Sequence, residues 1–416
     1  MIAAVKRFWR RISRRRFPHT FSSCCMTKSG SFDTMTGAHL TMSEAFTLAG
    51  LTARAFLRRH WQKEPLLARG ALADCADIVD RATLFALAGR DDLESRLVRR
   101  EGRRWTVRYG PFKPRELRRL PRAGWTLLVQ GVDHALPAAQ KLLERFAFIP
   151  YARLDDLMVS YAPPGGGVGP HFDSYDVFLV QGEGRRRWRV SRQRDLALVA
   201  GAPLRILRRF KSAQAWELRA GDLLYLPPRC AHEGVALTDC ITYSVGFRAP
   251  EAQELGSRFL EFLQDELHAE GIYEDPELRP TRRPARLSDD MVRGMRGMLR
   301  RVRWSGRNVE NFLGRFLTEP KAHVQFARPH RPLTRGAFAA QAARRGVRLA
   351  GPTRMLFRGA VIYINGESHA LVAPSAQRLS RLADRRRLAP FARIDRDTLQ
   401  LLYQWYRAGY LTIGGE

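Results

Sequence analysis

Three residues that must meet at one point constrain this chain most. His171 and Asp173 stand two positions apart behind a glycine-rich run at 163–170, and His232 follows much later in the chain. The approach to His232 is Gly221-Asp222, the apolar stretch 223–226, then Pro227-Pro228. Two imidazoles and one carboxylate grip Fe(II) on one side and leave the other side open. Residues two apart on a strand point the same way, so His171 and Asp173 are expected to face one ion. In a barrel, the strand 223–226 can lie beside them and bring His232 to the same metal. Three unrelated polar residues, or a zinc site, are the competing readings. A His-Asp-His set in a mainly apolar barrel suits Fe(II) better than zinc.

The surrounding pattern supports a barrel. Short apolar runs at 157–161, 177–180, 187–190, 223–226 and 241–247 alternate with Gly and Pro corners, which favours a barrel or jelly roll. Gly182-Glu183-Gly184 reads as a hairpin turn between the second and third runs. Trp125–Val129 reads as a buried strand. At 416 residues the chain is too long for one ordinary core. After Pro250 the period changes. Leu255, Phe259, Phe262 and Leu263 recur at helical spacing, and Ser288-Asp289-Asp290 caps a second helical stretch with Met291, Met295 and Leu299. Such stripes serve either as core or as a seam between two copies. The last part, from about residue 326, predicts helices with one hairpin turning at Asn365-Gly366. That is the outline of a winged helix.

Charge and cysteines narrow the setting. The net charge is +30, so an acidic neighbour such as RNA or a ribosome fits, with general arginine enrichment as the alternative. Five irregularly spaced cysteines form no C-x-x-C pair and fit a reducing compartment, hence the cytoplasm. No apolar run approaches the length of a membrane span. Residues 1–41 are basic and then Ser-rich, and read as a disordered extension.

Two further features bear on ligands. One of Arg185, Arg186 and Arg187 is expected to turn inward. Its guanidinium would then pair with a planar carboxylate such as that of 2-oxoglutarate. All three could instead form an exposed basic edge that discourages strand pairing. Asp155, Asp156, Asp173, Asp176 and Glu183 make the site region locally acidic. They form either a pocket welcoming a cationic side chain or a set of partners for Arg153 and Arg185.

Several segments resemble the JmjC-type ribosomal oxygenases of the cupin superfamily. They are residues 60–65 (HWQKEP), 155–158 (DDLM), 164–173 (PGGGVGPHFD), 175–178 (YDVF), 184–190 (GRRRWRV) and 243–250 (YSVGFRAP). The resemblance implies an α+β fold. A double-stranded β-helix, the cupin/JmjC jelly roll, would span 42–250. A helical dimerisation region would follow at 251–325, then a winged-helix-like domain at 326–416. It implies His171, Asp173 and His232 as iron ligands, Arg186 as the residue binding 2-oxoglutarate, and O2 as the other substrate. The implied reaction is hydroxylation of the β-carbon of an arginine in the sixteenth protein of the large ribosomal subunit. It also implies a homodimer working near the ribosome or its RNA. A histidine of a ribosomal protein is the alternative target, and a non-catalytic ribosome- or RNA-binding protein the alternative role. One departure stands out: Arg229-Cys230-Ala231 replaces the glycine-containing loop common before the distal histidine.

Overall fold

The computed structural model describes residues 48, 50–75, 77–102, 104–267 and 270–414; the basic extension expected over 1–41 lies outside them. The chain opens with α1 (Ala53–Arg59), β1 (Leu66–Ala68), α2 (Arg81–Leu87), β2 (Ser95–Glu101), β3 (Arg104–Tyr109), α3 (Pro114–Arg118), β4 (Trp125–Val129) and α4 (Pro137–Glu144). Then come β5 (Leu154–Ala162), β6 (Val177–Gln181), β7 (Arg185–Ser191), β8 (Gln214–Arg219), β9 (Leu223–Leu226), β10 (Ala231–Ala236) and β11 (Cys240–Phe247). The helices α5 (Ala252–Glu266), α6 (Asp289–Leu299) and α7 (Gly306–Thr318) follow. The C-terminal part holds α8 (Arg335–Arg345), β12 (Val347–Leu349), β13 (Met355–Arg358), β14 (Val361–Ile364), β15 (Glu367–Ala370), α9 (Ser375–Arg385), β16 (Arg387–Leu388), α10 (Arg396–Ala408) and β17 (Leu411–Ile413).

Two antiparallel sheets form the barrel. The larger runs β1-β9-β6-β11-β5-β4-β2-β3 and the smaller β10-β7-β8. Strand alternation divides the large sheet's side chains into two cores. Phe178, Val180, Tyr225, Tyr243 and Val245 face the covering helices with Phe56 and Phe146. Val177, Leu179, Leu224 and Leu226 face the small sheet and meet Trp188, Val190 and Leu218. Burying each of these side chains contributes about 1.5–3 kcal/mol.

The expected hairpin at 182–184 is not one. β6 pairs with β11 and β9, whereas β7 pairs with β10 and β8. The segment instead carries the chain from one sheet to the other. Gly184 has φ +68°, and a Cβ there would sit 1.9 Å from the Asp239 carbonyl oxygen. A glycine before a strand therefore marks a sheet crossing as readily as a tight turn.

Two strands had no clear sequence signal. β8 (QAWELR) and β10 (AHEGVA) are short and polar or glycine-bearing, yet they complete the small sheet. The C-terminal part matches its expectation more closely. Asn365 (φ 48°) and Gly366 (φ 89°) turn β14 into β15, and α8, α9 and α10 pack Phe338, Leu379, Leu382, Leu402 and Trp405 into a separate core. No helix of the described residues is long and apolar enough to cross a membrane.

An ion cluster ties the barrel to the residues that follow it. Lys321 Nζ lies 3.1 Å from Asp155 Oδ2 and 3.2 Å from Asp156 Oδ2. Arg248 and Arg354 also reach Asp155, at 3.3 and 3.2 Å. Burial works against ionising Asp155, but Lys321, Arg354 and Arg248 outweigh it and hold the carboxyl low. Asp156 is pushed up to about 6 by burial and by the Asp155 charge. Lys321→Met would leave two facing carboxylates, and is expected to cost about 3 kcal/mol at pH 8. The sign follows from linkage: the folded-state pKa of Asp156 lies above its unfolded value and would rise further without the lysine. The unfolded value is the same in both chains, so this part of the cost is full above the variant's raised pKa and fades as pH falls to the parent's value of about 6. Urea midpoints of the variant and the parent should converge between pH 8 and pH 5.

Candidate active site

The site is built where the small sheet meets the loop between β5 and β6. The chain from Gly165 to His171 runs antiparallel beside β10. Ala236 N–H donates to Gly166 O at 2.9 Å, and His171 and His232 exchange backbone hydrogen bonds at 2.9 and 2.8 Å. That close approach requires the glycines: a Cβ on Gly167 would lie 2.5 Å from Gly234 O.

His171, Asp173 and His232 offer ligand atoms that all lie within 4.8 Å of one another. The imidazole rings are 4.2 Å apart, and His232 Nε2 is 3.7 Å from Asp173 Oδ2. Expectation and structure differ in one respect. His171 makes an isolated bridge to His232, and Asp173 follows on an irregular loop rather than a strand. Asp173 is held instead through its carbonyl, which accepts the Arg229 N–H at 2.7 Å. Arg229 adopts φ +63° after Pro227-Pro228, and its side chain is exposed at the rim.

Hydrogen bonds set the histidine tautomers. His171 Nδ1 lies 2.9 Å from Gly169 O, and His232 Nδ1 lies 2.9 Å from Cys230 O. A carbonyl oxygen only accepts, so each Nδ1 carries the proton and each Nε2 keeps its lone pair for a metal. Burial, then the neighbouring His171, lowers the His232 pKa to about 4, so it stays neutral at physiological pH.

The loop carrying Asp173 is pinned by a carboxylate three residues on. Buried Asp176 accepts from Tyr225 Oη at 2.6 Å, Gln62 Nε2 at 3.0 Å and Arg153 Nη2 at 3.3 Å. This assigns work to the acids that sequence placed near the site. Asp155, Asp156 and Asp176 each have internal cationic partners, and Glu183 is exposed. Of these acids Asp173 alone joins the ligand set, so the acidic-pocket expectation gives way to paired acids. Of the two expected partners Arg153 pairs with Asp176, whereas Arg185 pairs with Glu217, and Lys321, Arg248 and Arg354 supply the rest.

Alternation on β7 settles the arginine question. Arg185, Arg187 and Arg189 are exposed, while Arg186 shares the inner face with Trp188 and Val190. Arg186 is 3 % exposed. Its Nη1 donates to Thr242 Oγ1 at 3.2 Å and Ser160 Oγ at 3.3 Å, and its Nη2 to Gly234 O at 3.4 Å. These are long bonds to neutral groups. No carboxylate pairs with it among the described residues, and its Nε has no partner. Burial pulls its pKa down. A buried, uncompensated cation is costly, and an anion is the missing partner. Two further buried atoms lack partners nearby, Trp188 Nε1 on the same strand face and Thr126 Oγ1 on the same sheet face as Ser160 and Thr242. Trp188 also stands beside His232, with ring centroids 5.9 Å apart. The interior therefore suits an anion beside Arg186. Sequence reading missed Ser160, Thr242 and Trp188; strand parity with Arg186 could have found Trp188, whereas Ser160 and Thr242 lie on other strands and only the fold brings them to it.

Comparison with known proteins agrees with this geometry. Residues 141–255 match the JmjC domain, and residues 301–412 match the ROXA-like winged helix. The chain is 37% identical over 317 residues to the ribosomal protein uL16 3-hydroxylase of Escherichia coli, covering 75% of this chain and 84% of that protein. A probable ribosomal oxygenase of Haemophilus influenzae is 36% identical over 266 residues, 60% of this chain and 63% of its own length. The E. coli ribosomal oxygenase YcfD, solved in complex with cobalt and 2-oxoglutarate, superposes with a TM-score of 0.76. It is 33% identical, with 88% of this chain and 99% of that one covered. A jelly roll with converging His-Asp-His donors and a buried arginine without a carboxylate, together with a C-terminal winged helix, accords with these matches, and the chain belongs to the JmjC-type ribosomal oxygenases.

Proposed function

We propose that this chain hydroxylates the β-carbon of an arginine in ribosomal protein uL16 of the large subunit. The chain is a 2-oxoglutarate-dependent oxygenase of the protein-hydroxylase type, with Fe(II) as its metal and O2 as the oxidant. Arg186, a buried guanidinium without a carboxylate on the same inner face as His232, carries the cosubstrate part of the reading, and the 37% identity to the E. coli uL16 3-hydroxylase supports the target. His171, Asp173 and His232 would hold the metal, and Arg186 with Ser160 and Thr242 would hold the far carboxylate of 2-oxoglutarate. When bound, the iron supplies the redox chemistry, in which 2-oxoglutarate and O2 yield succinate and CO2 while one oxygen atom enters the substrate's C–H bond.

The protein's own residues position and exclude. Gly169 and Cys230 carbonyls orient the two imidazoles. Arg229 N–H and the Asp176 network fix the loop carrying Asp173. Val177, Leu179, Val190 and Leu226 form a buried apolar cluster with Trp188, a low-dielectric setting in which the Arg186 pairing would be strong.

Ribosomal proteins incubated with the chain, Fe(II) and 2-oxoglutarate should gain one oxygen on an arginine of uL16, detected by mass spectrometry and absent with His171→Ala. Oxygen on a histidine would move the reading to the related histidine hydroxylases. Absence of any modified protein, with Fe(II) bound, would sink it.

Partners follow the same reading. We place the reaction in the cytoplasm near the assembling ribosome; Cys230 and Cys240 are buried free thiols, in keeping with a reducing compartment. We infer a homodimer through the helices after the barrel. Part of their apolar stripe is internal, where Phe259, Phe262, Phe312 and Phe316 stack together. The rest is exposed: Leu260, Val292, Met295, Leu299 and Trp304. Met295→Asp combined with Leu299→Asp is expected to halve the mass seen by light scattering. An unchanged mass would remove these helices from the seam.

A further inference from the structure

The chain between β7 and β8 stands over the metal end of the barrel. Leu207 N–H donates to Pro170 O at 2.8 Å, directly before His171, and Ser191 pairs with Ala231, directly before His232. Residues 192–213 fold back on themselves. Val199 N–H donates to Ile206 O and Arg208 N–H to Ala197 O, both at 2.8 Å. Gln193 clasps the two limbs, donating to Arg209 O at 2.9 Å and accepting from Lys211 N–H at 3.0 Å.

This hairpin is densely cationic. It carries Arg192, Arg194, Arg205, Arg208, Arg209 and Lys211 against the single acid Asp195, and all six cations are exposed. Asp195 is turned to its own backbone, accepting from Ala197 N–H at 3.1 Å. Among the described residues no carboxylate pairs with Arg194, Arg208, Arg209 or Lys211, whereas Arg185 and Arg189 in the adjoining strand are paired with Glu217 and Glu233. Arg229 adds another exposed charge at the same rim. The chain-wide charge of +30 over 416 residues does not account for such local density. Like charges held together on a clasped hairpin repel one another, and a polyanion relieves that.

We propose that this cationic collar binds RNA, docking the enzyme beside its target on ribosomal RNA. The proposal rests on the ribosomal-protein reading above. The target side chain in that reading is itself a cation, so the collar is not complementary to it. It is complementary to the phosphate backbone that accompanies a ribosomal protein. Arginine favours this further, because its planar fork matches phosphate bidentately.

The test is fluorescence anisotropy of a labelled ribosomal-RNA fragment with the full chain over a salt series. The triple variant Arg194→Gln/Arg208→Gln/Lys211→Gln is compared with a triple of equal charge loss in the C-terminal domain, Arg331→Gln/Arg335→Gln/Arg344→Gln. The collar variant should bind about tenfold more weakly or worse, with the slope of log affinity on log salt shallower by about 2. The other triple should change little. Equal losses in both triples, no RNA binding by the parent chain, or collar-dependent binding to anionic lipid vesicles but not RNA would each overturn the proposal. Hydroxylation of isolated uL16 is followed in parallel. Its absence with collar-dependent RNA binding intact would defeat the substrate reading and leave the collar standing.

Discussion

Asp173→Ala is expected to weaken Fe(II) binding by more than about 100-fold, the size of effect that loss of an outer hydrogen-bond partner alone can reach. Hydroxylation should fall with it. The reasoning is local. Two neutral imidazoles remain, each locked by a carbonyl through Nδ1, but the only anionic donor is gone. A dication held by neutral groups alone loses both the charge match and one coordination position. The fold should not suffer. Asp173 lies at the open side, its side chain 24% exposed, and the loop is secured by its carbonyl and by Asp176. Metal content by mass spectrometry, alongside an unchanged urea midpoint, would separate lost ligation from lost folding. Full metal occupancy in the variant would remove Asp173 from the ligand set.

Much of this site was legible in sequence because its chemistry is carried by spacing that also dictates geometry. His171 and Asp173 stand two apart behind a glycine run, and the glycines prove to be what lets that run lie against Gly234 and Ala236. The four-residue strand after Gly221-Asp222 and the bend at Pro227-Pro228 are both present, but β9 pairs with β1 and β6 rather than lying beside His171, and it is β10 that brings His232 there. What sequence could not supply was partnership between distant segments. Gly182-Glu183-Gly184 has the composition of a hairpin turn, and only the pairing of β6 with β11 and of β7 with β10 shows it crossing between sheets. Asp155 and Asp156 look like part of an acidic pocket until Lys321 and Arg354 arrive from far along the chain. Strand parity was the underused signal. In Arg185-Arg186-Arg187-Trp188-Arg189-Val190, the apolar Trp188 and Val190 fix the buried side, and Arg186 shares their parity.

Arg186→Met is expected to raise the KM for 2-oxoglutarate by about 100-fold or more, the loss of about 3 kcal/mol from a buried charged pair. The same substitution should leave the ligand-free fold no less stable, and this second outcome is the more discriminating. In most proteins a buried arginine sits among carboxylates, and removing it strands them. Here the partners are two hydroxyls and a carbonyl at 3.2–3.4 Å, with Nε bare. Without an anion the guanidinium carries its desolvation penalty unrelieved, and methionine fills similar volume without that cost. Arg186→Lys keeps the charge but loses the planar fork, so its KM should fall between the two. Urea unfolding with and without 2-oxoglutarate reads both effects at once. The parent chain should gain stability from the ligand and the methionine variant should not. A methionine variant that unfolds far more easily without ligand would mean that Arg186 is a structural residue, and the cosubstrate's carboxylate would have to be held elsewhere.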